Sequence, residues 1–125
     1  MNAITTDFAR ANQAKAAAGE EALKTVAKMS FGNGGTNPDG SVRTPLSSET
    51  GLANKLLAVD IESVTYPIPT TVRFTARLAF DQLNGYEISE IGLESADGTT
   101  LAIKTFEPIP KNSENEFVVD WDEVY

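Results

Sequence analysis

Residues 86–106, YEISEIGLESADGTTLAIKTF, decide the fold of this chain. The apolar residues of the first half change phase at Ser89-Glu90, and such a slip predicts a strand with a β-bulge at that point. Asp97-Gly98 is a typical hairpin turn, because glycine adopts a positive φ without steric cost. A return strand over residues 101–106 follows. The stretch therefore predicts a bulged antiparallel hairpin.

The residues on both sides of this hairpin add further strands. Val72, Phe74, Ala76, Leu78 and Phe80 alternate with mostly polar residues, which predicts a strand with one buried face. The phase of the apolar residues slips between residues 59 and 66, which predicts a second bulge near Ser63. Pro67 and Pro69 are expected to break their run at a turn or a sheet edge, and Pro108 and Pro110 are expected to end the return strand. The remaining predicted strands cover residues 23–31 and 117–121, with Asn84-Gly85 as a turn.

Two helices are predicted in the first half of the chain. The first twenty residues place Ile4, Phe8 and several alanines at helical spacing; Thr5 or Thr6 caps the start, Asp7 suits the first turn, and Gly19 ends the helix. A second helix is expected from about Ser47 to Leu57, with Pro45 in its opening turn. Together these elements predict one α+β domain over residues 1–125, with two helices and a mainly antiparallel sheet of about five to six strands.

Composition excludes several classes of function. The chain has 125 residues and neither cysteine nor histidine, which removes disulfides, thiolate nucleophiles, His-based triads and the commonest transition-metal ligands. The start has no signal-peptide pattern, and no apolar run reaches the ~18 residues that span a membrane. We therefore expect a protein made in the cytoplasm, with no membrane partner and no cofactor.

The net charge of −8 is unevenly distributed. Residues 81–125 contain eleven acids and two bases, whereas residues 1–80 contain seven acids and eight bases. An acidic C-terminal part argues against a nucleic-acid partner, because nucleic-acid phosphates bind clustered Lys and Arg side chains. Two interpretations of the acids stay open: a solvated face that maintains solubility, or a surface that docks a basic partner or a neighbouring copy.

The glycine-rich segment Gly32–Ser41 is predicted to be a long flexible loop that orders at a contact. It has neither the GxxxxGK[ST] nor the GxGxxG spacing of phosphate-binding loops. Asn33, Asn37 and Asp39 offer oxygen atoms, but one carboxylate is too few for a strong calcium site. We therefore regard these three residues as candidates for contact with a partner protein.

Paired carboxylates are the one remaining route to catalysis. Glu114 and Glu116 are two residues apart, as are Asp120 and Asp122, so each pair shares a strand face. Glycoside hydrolysis needs two such groups in one cleft, one of them with a raised pKa. A solvated surface is the ordinary explanation, and these four acids are instead candidates for a partner contact. Trp121 is expected in the core with Phe117 and Val119.

The ordered set of segments resembles the phage tail-collar fibre family. A strand leads into a glycine-rich loop, and a bulged hairpin with an Asp-Gly turn and a strand ending in Phe106 follow in the family's order. At the bulge, Glu90 could accept backbone N–H bonds, and Gly92 permits close backbone approach. The motif residues, all interpreted as structural, are Gly32, Gly34, Gly35, Ser89, Glu90, Ile91, Gly92, Leu93, Asp97 and Gly98.

The resemblance implies a non-enzymatic structural component of a phage or prophage tail, made in the bacterial host cytoplasm and located in the virion. It would attach a tail fibre to a baseplate or tail protein, and as a fibre protein it would form a trimer. The alternative is a carbohydrate-binding or adhesion module outside a phage, for which exposed aromatic residues would have to line a groove. A small enzyme that works on carboxylates alone is the third hypothesis.

Overall fold

The computed structural model describes residues 2–125, which form one α-helix and eight β-strands. In chain order these are β1 (Asn2–Thr5), α1 (Asp7–Ala17), β2 (Val26–Gly32), β3 (Lys55–Asp60), β4 (Ser63–Ile68), β5 (Thr71–Leu78), β6 (Glu87–Ser95), β7 (Thr100–Pro110) and β8 (Phe117–Val124).

The strands form two antiparallel sheets. The five-stranded sheet has the order β1-β7-β6-β2-β3, and the three-stranded sheet has the order β4-β5-β8. The antiparallel prediction is confirmed, but the expected single sheet of five to six strands with two helices is wrong. The fold is mostly β, with a single short helix in the described residues.

Helix α1 is shorter than the predicted one because the chain begins with a strand. Residues 2–5 pair with β7, where Ile4 lies opposite Ile103. Thr6 then caps the helix, its hydroxyl accepting the N–H of Ala9 at 3.2 Å, and Asp7 lies in the first turn. Gly19, at φ 77°, follows the end of the helix. The predicted cap and stop are confirmed, and the predicted start is wrong.

The second helix expected over residues 47–57 does not exist. The chain forms turns as far as Asn54 and then enters β3, where Leu57 pairs with Phe31 of β2. The leucines do have helical spacing, but the N–H groups of Ala53 and Asn54 bond to a side chain of β6 instead of to helical carbonyls. A tertiary contact therefore overrides the local pattern.

The phase slip near Ser63 marks a change of sheet, not the predicted bulge. β3 ends at Asp60 in the five-stranded sheet, and β4 begins at Ser63 in the three-stranded one. Pro67 lies inside β4, which pairs only with β5, so it occupies an edge strand where its missing N–H costs no ladder bond.

The decisive hairpin forms as predicted. β6 and β7 pair with a register shift between Ile88 and Glu90, which is the expected bulge, and Gly98 has a φ of 87° in the turn. The return strand is longer than expected, because it continues to Pro110, opposite Glu87. Pro108 and Pro110 therefore lie within β7 rather than after it. No helix within residues 2–125 combines the length and the apolar character that crossing a membrane requires.

The two sheets share one hydrophobic core. Phe31 of β2 meets Phe117 of β8 edge-on, with ring centroids 6.0 Å apart, and the Nζ of Lys104 lies 4.4 Å from the centroid of the Trp121 ring. Trp121 is fully buried, as predicted. The alternation predicted for β5 is also confirmed as far as Leu78, beyond which Phe80 is exposed. The buried core residues include Met29, Phe74, Ala76, Ile88, Ile91, Leu93, Ala102 and Phe106.

Candidate functional site

The two halves of the sequence motif meet at the carboxylate of Glu90, which is fully buried in β6. One oxygen, Oε2, accepts the N–H groups of Gly34 and Asn54, both at 2.8 Å. The other, Oε1, accepts the N–H of Ala53 at 2.9 Å and the Nη2 of Arg43 at 3.3 Å. These bonds agree with the expectation that an acid at the bulge accepts backbone N–H groups. Glu90 therefore fastens the glycine-rich loop and the start of β3 to the sheet.

Arg43 completes this junction, although it was not among the predicted site residues. Its Nη1 donates to Glu49 at 2.6 Å and its Nε donates to the carbonyl of Gly34 at 3.1 Å. The hydroxyl of Thr105 in β7 donates to the carbonyl of Arg43. Arg43 could have been predicted from the sequence, because it is the only basic residue between Lys28 and Lys55. A buried acid that pairs with a cation from this segment can pair only with Arg43.

The glycines of the motif allow the loop to approach β6. A Cβ atom on Gly35 would lie 1.9 Å from the carbonyl oxygen of Ser89, and one on Gly34 would lie 2.7 Å from Glu90 Oε2. The N–H of Gly35 also donates to the hydroxyl of Ser89 at 2.9 Å. A Cβ on Gly32 would meet the carbonyl of Asn54 at 2.4 Å. Backbone and side chains of β6 and of residues 53–54 thus fill the space that side chains on these glycines would need.

The rest of the motif lies along the same hairpin. Ile91 and Leu93 are in the core, and Gly92 faces the hydroxyl of Ser30, which a Cβ would approach to 2.6 Å. The Oγ of Ser30 is buried and, among the residues described, is the one buried side-chain polar atom without a hydrogen-bond partner. Gly92 therefore packs against the Ser30 hydroxyl, which leaves no room for a larger side chain at position 92.

The hairpin turn is stabilised by Asp97. Its carboxylate accepts bonds from the Nζ of Lys24 at 2.5 Å, from the hydroxyl of Ser95 and from the N–H of Thr99 at 3.1 Å. The Lys24 ammonium, with these two further donors, holds the pKa of the Asp97 carboxyl well below its ordinary value of 3.8. Gly98 supplies the positive φ, so the Asp-Gly pair acts as a structural unit.

The three candidate residues of the glycine-rich loop do not form one site. Asn33 lies at the base, where its Oδ1 accepts the Nδ2 of Asn54 at 2.5 Å, whereas Asn37 and Asp39 lie at an exposed tip. The tip is closed by a bridge between Thr36 and Val42 and by bonds from Ser41 to Asp39. These bonds lie within the loop itself and define the conformation of its tip.

Three of the four candidate acids lie on the outer face of the three-stranded sheet. Asp122 forms a bidentate pair with Arg73, at 2.8 and 3.0 Å, which lowers the pKa of its carboxyl. Glu116 pairs with Arg77 at 2.9 Å, and Asp120 accepts the hydroxyl of Thr75 at 2.7 Å.

The two arginines of β5, Arg73 and Arg77, also belong to this face, although they were not among the predicted site residues. They alternate with Thr75 and so lie on the same face as the acids of β8. Glu114 precedes β8 and, like Asp120, has no Lys or Arg within salt-bridge distance in residues 2–125. Residues 2–125 contain no cluster of three or more acids that could hold a metal ion. The face is therefore an ion-paired surface with an excess of acid.

A cleft of about 880 Å³ opens between α1 and the inner face of the three-stranded sheet. The helix contributes small side chains such as Ala9 and Ala16, which leave the space unfilled. Tyr66 and Tyr125 line the opposite wall and are largely exposed. The alanine-rich stripe of α1 thus packs incompletely against the chain's own sheets.

Comparison with known proteins gives one match. A family model described as phage tail-collar fibre protein, N-terminal, matches residues 1–120 of this chain. Neither the curated proteins nor the solved structures include a match. The matched range covers the glycine-rich loop, the bulged hairpin and the junction at Glu90 that joins them.

Proposed function

This chain belongs to the phage tail-collar fibre protein family, and we propose that within the tail fibre it is the module that joins the fibre to the baseplate or collar. Family membership makes it a structural, non-enzymatic component associated with other tail proteins, and it indicates a location in the virion tail. This favours the first of the three functional hypotheses over an adhesion module outside a phage and over a small enzyme.

The observation that carries this proposal is the junction at Glu90. An attachment module has to present a fixed surface and keep its shape when the fibre is pulled. The single carboxylate of Glu90 holds two stretches of backbone, at Gly34 and at Ala53-Asn54, and the side chain of Arg43 against β6. Buried, fully paired polar groups of this kind specify one arrangement of the chain, because any alternative leaves a charge unpaired in the interior.

Two surfaces are proposed as contacts with the tail. The first is the loop tip with Asn37 and Asp39, together with Asn33 at its base. The second is the outer face of the three-stranded sheet, with its surplus of acid. Its contact residues are Glu116, Asp120 and Asp122, together with Glu114, which precedes β8. We further propose that residues 1–125 fold as one unit, that the chain is made in the cytoplasm of the bacterial host, and that it assembles as a trimer.

The test uses tails of the phage or prophage that encodes this chain. Replacing Asn37–Ser41 by the two-residue turn Asn-Gly removes the tip but keeps Gly34 and Gly35, so the junction at Glu90 survives. A second variant reverses the charge of Glu114 and Asp120, the two candidate acids that form no salt bridge within the part of the chain that the structure describes. We expect at least one variant to yield tails without fibres, as seen by electron microscopy.

A control carries Glu20→Lys, which changes an exposed acid after α1. Its tails are expected to keep their fibres. Normal fibre attachment in both test variants, with folding confirmed by circular dichroism, would show that neither surface contacts the tail. Absence of the wild-type chain from purified tails would overturn the attachment function itself.

A further inference from the structure

The free edge of β8 differs from the other three strand edges of the fold. β1 has four residues, β3 pairs with β2 through a register shift, and β4 contains Pro67 and a second shift. β8 has eight residues, and β5 pairs with all of them in unbroken register, from Phe117 to Val124. Short length, prolines, bulges and charged side chains are the usual means of blocking a strand edge. Of these, β8 has charged side chains alone, at Asp120, Asp122 and Glu123.

The other edge of β8 carries main-chain groups without a strand partner. β8 is the last strand of its sheet, so within residues 2–125 no strand lies beyond it. On the outer face, Val118 and Val124 are 53% and 74% exposed. A long, straight edge with apolar side chains exposed beside it is a template for the addition of one more strand.

The charge of the edge selects the kind of strand that fits. Residues 112–125 contain five acids and no base. Asp120 and Asp122 project from the outer face, where Thr75 and Arg73 contact them only from the β5 side, and the side chain of Asp122 stays 41% exposed. If β8 paired with β8 of a second copy, acids would lie opposite acids, and like charges in directly opposed positions destabilise a sheet.

We propose that the free edge of β8 binds an extended, Lys- or Arg-bearing segment of another tail protein as a fourth strand of the small sheet. Basic side chains at alternate positions of that segment lie beside Asp120 and Asp122, and apolar ones lie beside Val118. The added strand's main chain supplies the hydrogen bonds, and its charges set the register and exclude self-association. The inference rests on the proposed attachment function and names the partner and the mode of binding.

Photo-crosslinking in assembled tails locates the partner. Benzoylphenylalanine replaces Val118 on the β8 edge and, as the matched control, Ile68 on β4, which is similarly exposed at 56% but lies between two prolines. We expect cross-links from position 118 to a segment with Lys or Arg at alternate positions, and none to that segment from position 68. Cross-links to a second copy of this chain, to a segment without bases, or to nothing would overturn the proposal.

A synthetic peptide of the cross-linked segment then tests strand addition with the free chain. We expect hydrogen exchange to slow at the β8 amides that do not bond β5, with no change in β4. Asp120→Lys should weaken peptide binding at least tenfold at low salt, whereas Glu20→Lys, with the same charge change, leaves binding unaltered. Asp120→Asn, which removes the negative charge without reversing it, should also weaken peptide binding, but less than Asp120→Lys does.

The outcomes separate this inference from the proposed function. Binding without slowed exchange in β8, or equal binding by the Asp120→Lys and Glu20→Lys variants, rejects strand addition. A chain that is present in tails but fails these tests keeps its attachment function and loses only this mode of binding. A chain that is absent from tails loses both.

Discussion

Gly35 approaches the main chain of β6 more closely than any residue with a Cβ atom could. The 1.9 Å that would separate such an atom from the Ser89 carbonyl oxygen is far inside van der Waals contact, and the obstacle is backbone, which cannot turn aside. Glycine is therefore required here by space. The same reasoning explains why the glycine-rich segment and the bulged hairpin occur together. The side chain of Glu90 and the backbone of Ser89 occupy the space that side chains on Gly34 and Gly35 would need.

Gly35→Ala is expected to destabilise the protein by about 3 kcal/mol, the upper part of the range for overpacked positions. The control is Gly51→Ala, where the nearest atom to a new Cβ is 3.7 Å away. Urea unfolding measures both, and Gly51→Ala should shift the free energy of unfolding by less than about 0.5 kcal/mol. Equal effects of the two substitutions would contradict the close approach.

Ser30 and Gly92 form a second testable pair. Within residues 2–125 the buried hydroxyl of Ser30 has no hydrogen-bond partner, so Ser30→Ala should be neutral or stabilising by up to about 1 kcal/mol. Gly92→Ala alone should destabilise by about 2 kcal/mol, because its Cβ meets that hydroxyl at 2.6 Å. In the double variant the next contact is at 3.3 Å, so much of the loss should be recovered.

A double-mutant cycle on chemical unfolding gives the coupling between these two positions. We expect a coupling of about 1 kcal/mol or more. Simple additivity of the two single effects would show that the hydroxyl is not the obstacle.

The site was only partly predictable at this scale. The importance of Glu90 could be predicted, because the apolar residues on its two sides differ in phase and so indicate a bulge at this position. A bulge leaves main-chain groups unpaired and turns a side chain in a new direction. The bulge itself does not identify the partners of Glu90, since Arg43 and Ala53 are more than thirty residues away along the chain. The Arg73–Asp122 pair has a similar cause: each strand's alternation was visible, but not the pairing of β5 with β8 that places the two residues opposite each other.

Elements with their own local determinants were predicted well. The hairpin has its Asp-Gly turn, β5 has its alternation, and α1 has its capping threonine and terminal glycine. The false helix over residues 47–57 had apolar residues at suitable spacing, yet its backbone donors are taken by Glu90. The slip near Ser63 had two explanations, a bulge or a change of sheet, and local sequence does not distinguish them.

The β6–β7 turn provides a prediction about pH. The folded pKa of Asp97 is lowered, so its ionised form contributes stability that is complete above the unfolded value of 3.8 and is lost as the pH falls through the folded value. Asp97→Asn should lower the melting temperature at pH 7. The difference between the two proteins should shrink only below about pH 4.

Thermal unfolding between pH 7 and pH 2 measures this difference. Asp81→Asn, an exposed acid between β5 and β6, serves as the control and should change little. A gap between wild type and Asp97→Asn that widens on acidification would contradict the sign of the shift.

The molecule consists of two packed sheets and one helix, and a cleft remains between that helix and the three-stranded sheet. The cleft of about 880 Å³ and the alanines of α1 indicate a surface that its own chain does not complete. Together with the family's place in a tail fibre, this leads us to expect a trimer. Light scattering over a range of protein and salt concentrations should give three times the monomer mass. A monomer at every concentration would show that residues 1–125 do not trimerise by themselves.

The pairing of β1 with β7 has a consequence for how the chain acquires its structure. Asn2 lies opposite Thr105, so β1 cannot pair until the residues of β7, roughly a hundred positions further along the chain, have been synthesised. During synthesis β2 likewise stays without β6, and Glu90 emerges long after the loop that it holds. Contacts this distant in sequence make folding slow, on the order of milliseconds to seconds. The large sheet therefore closes only when β7 becomes available to pair with β1 and β6.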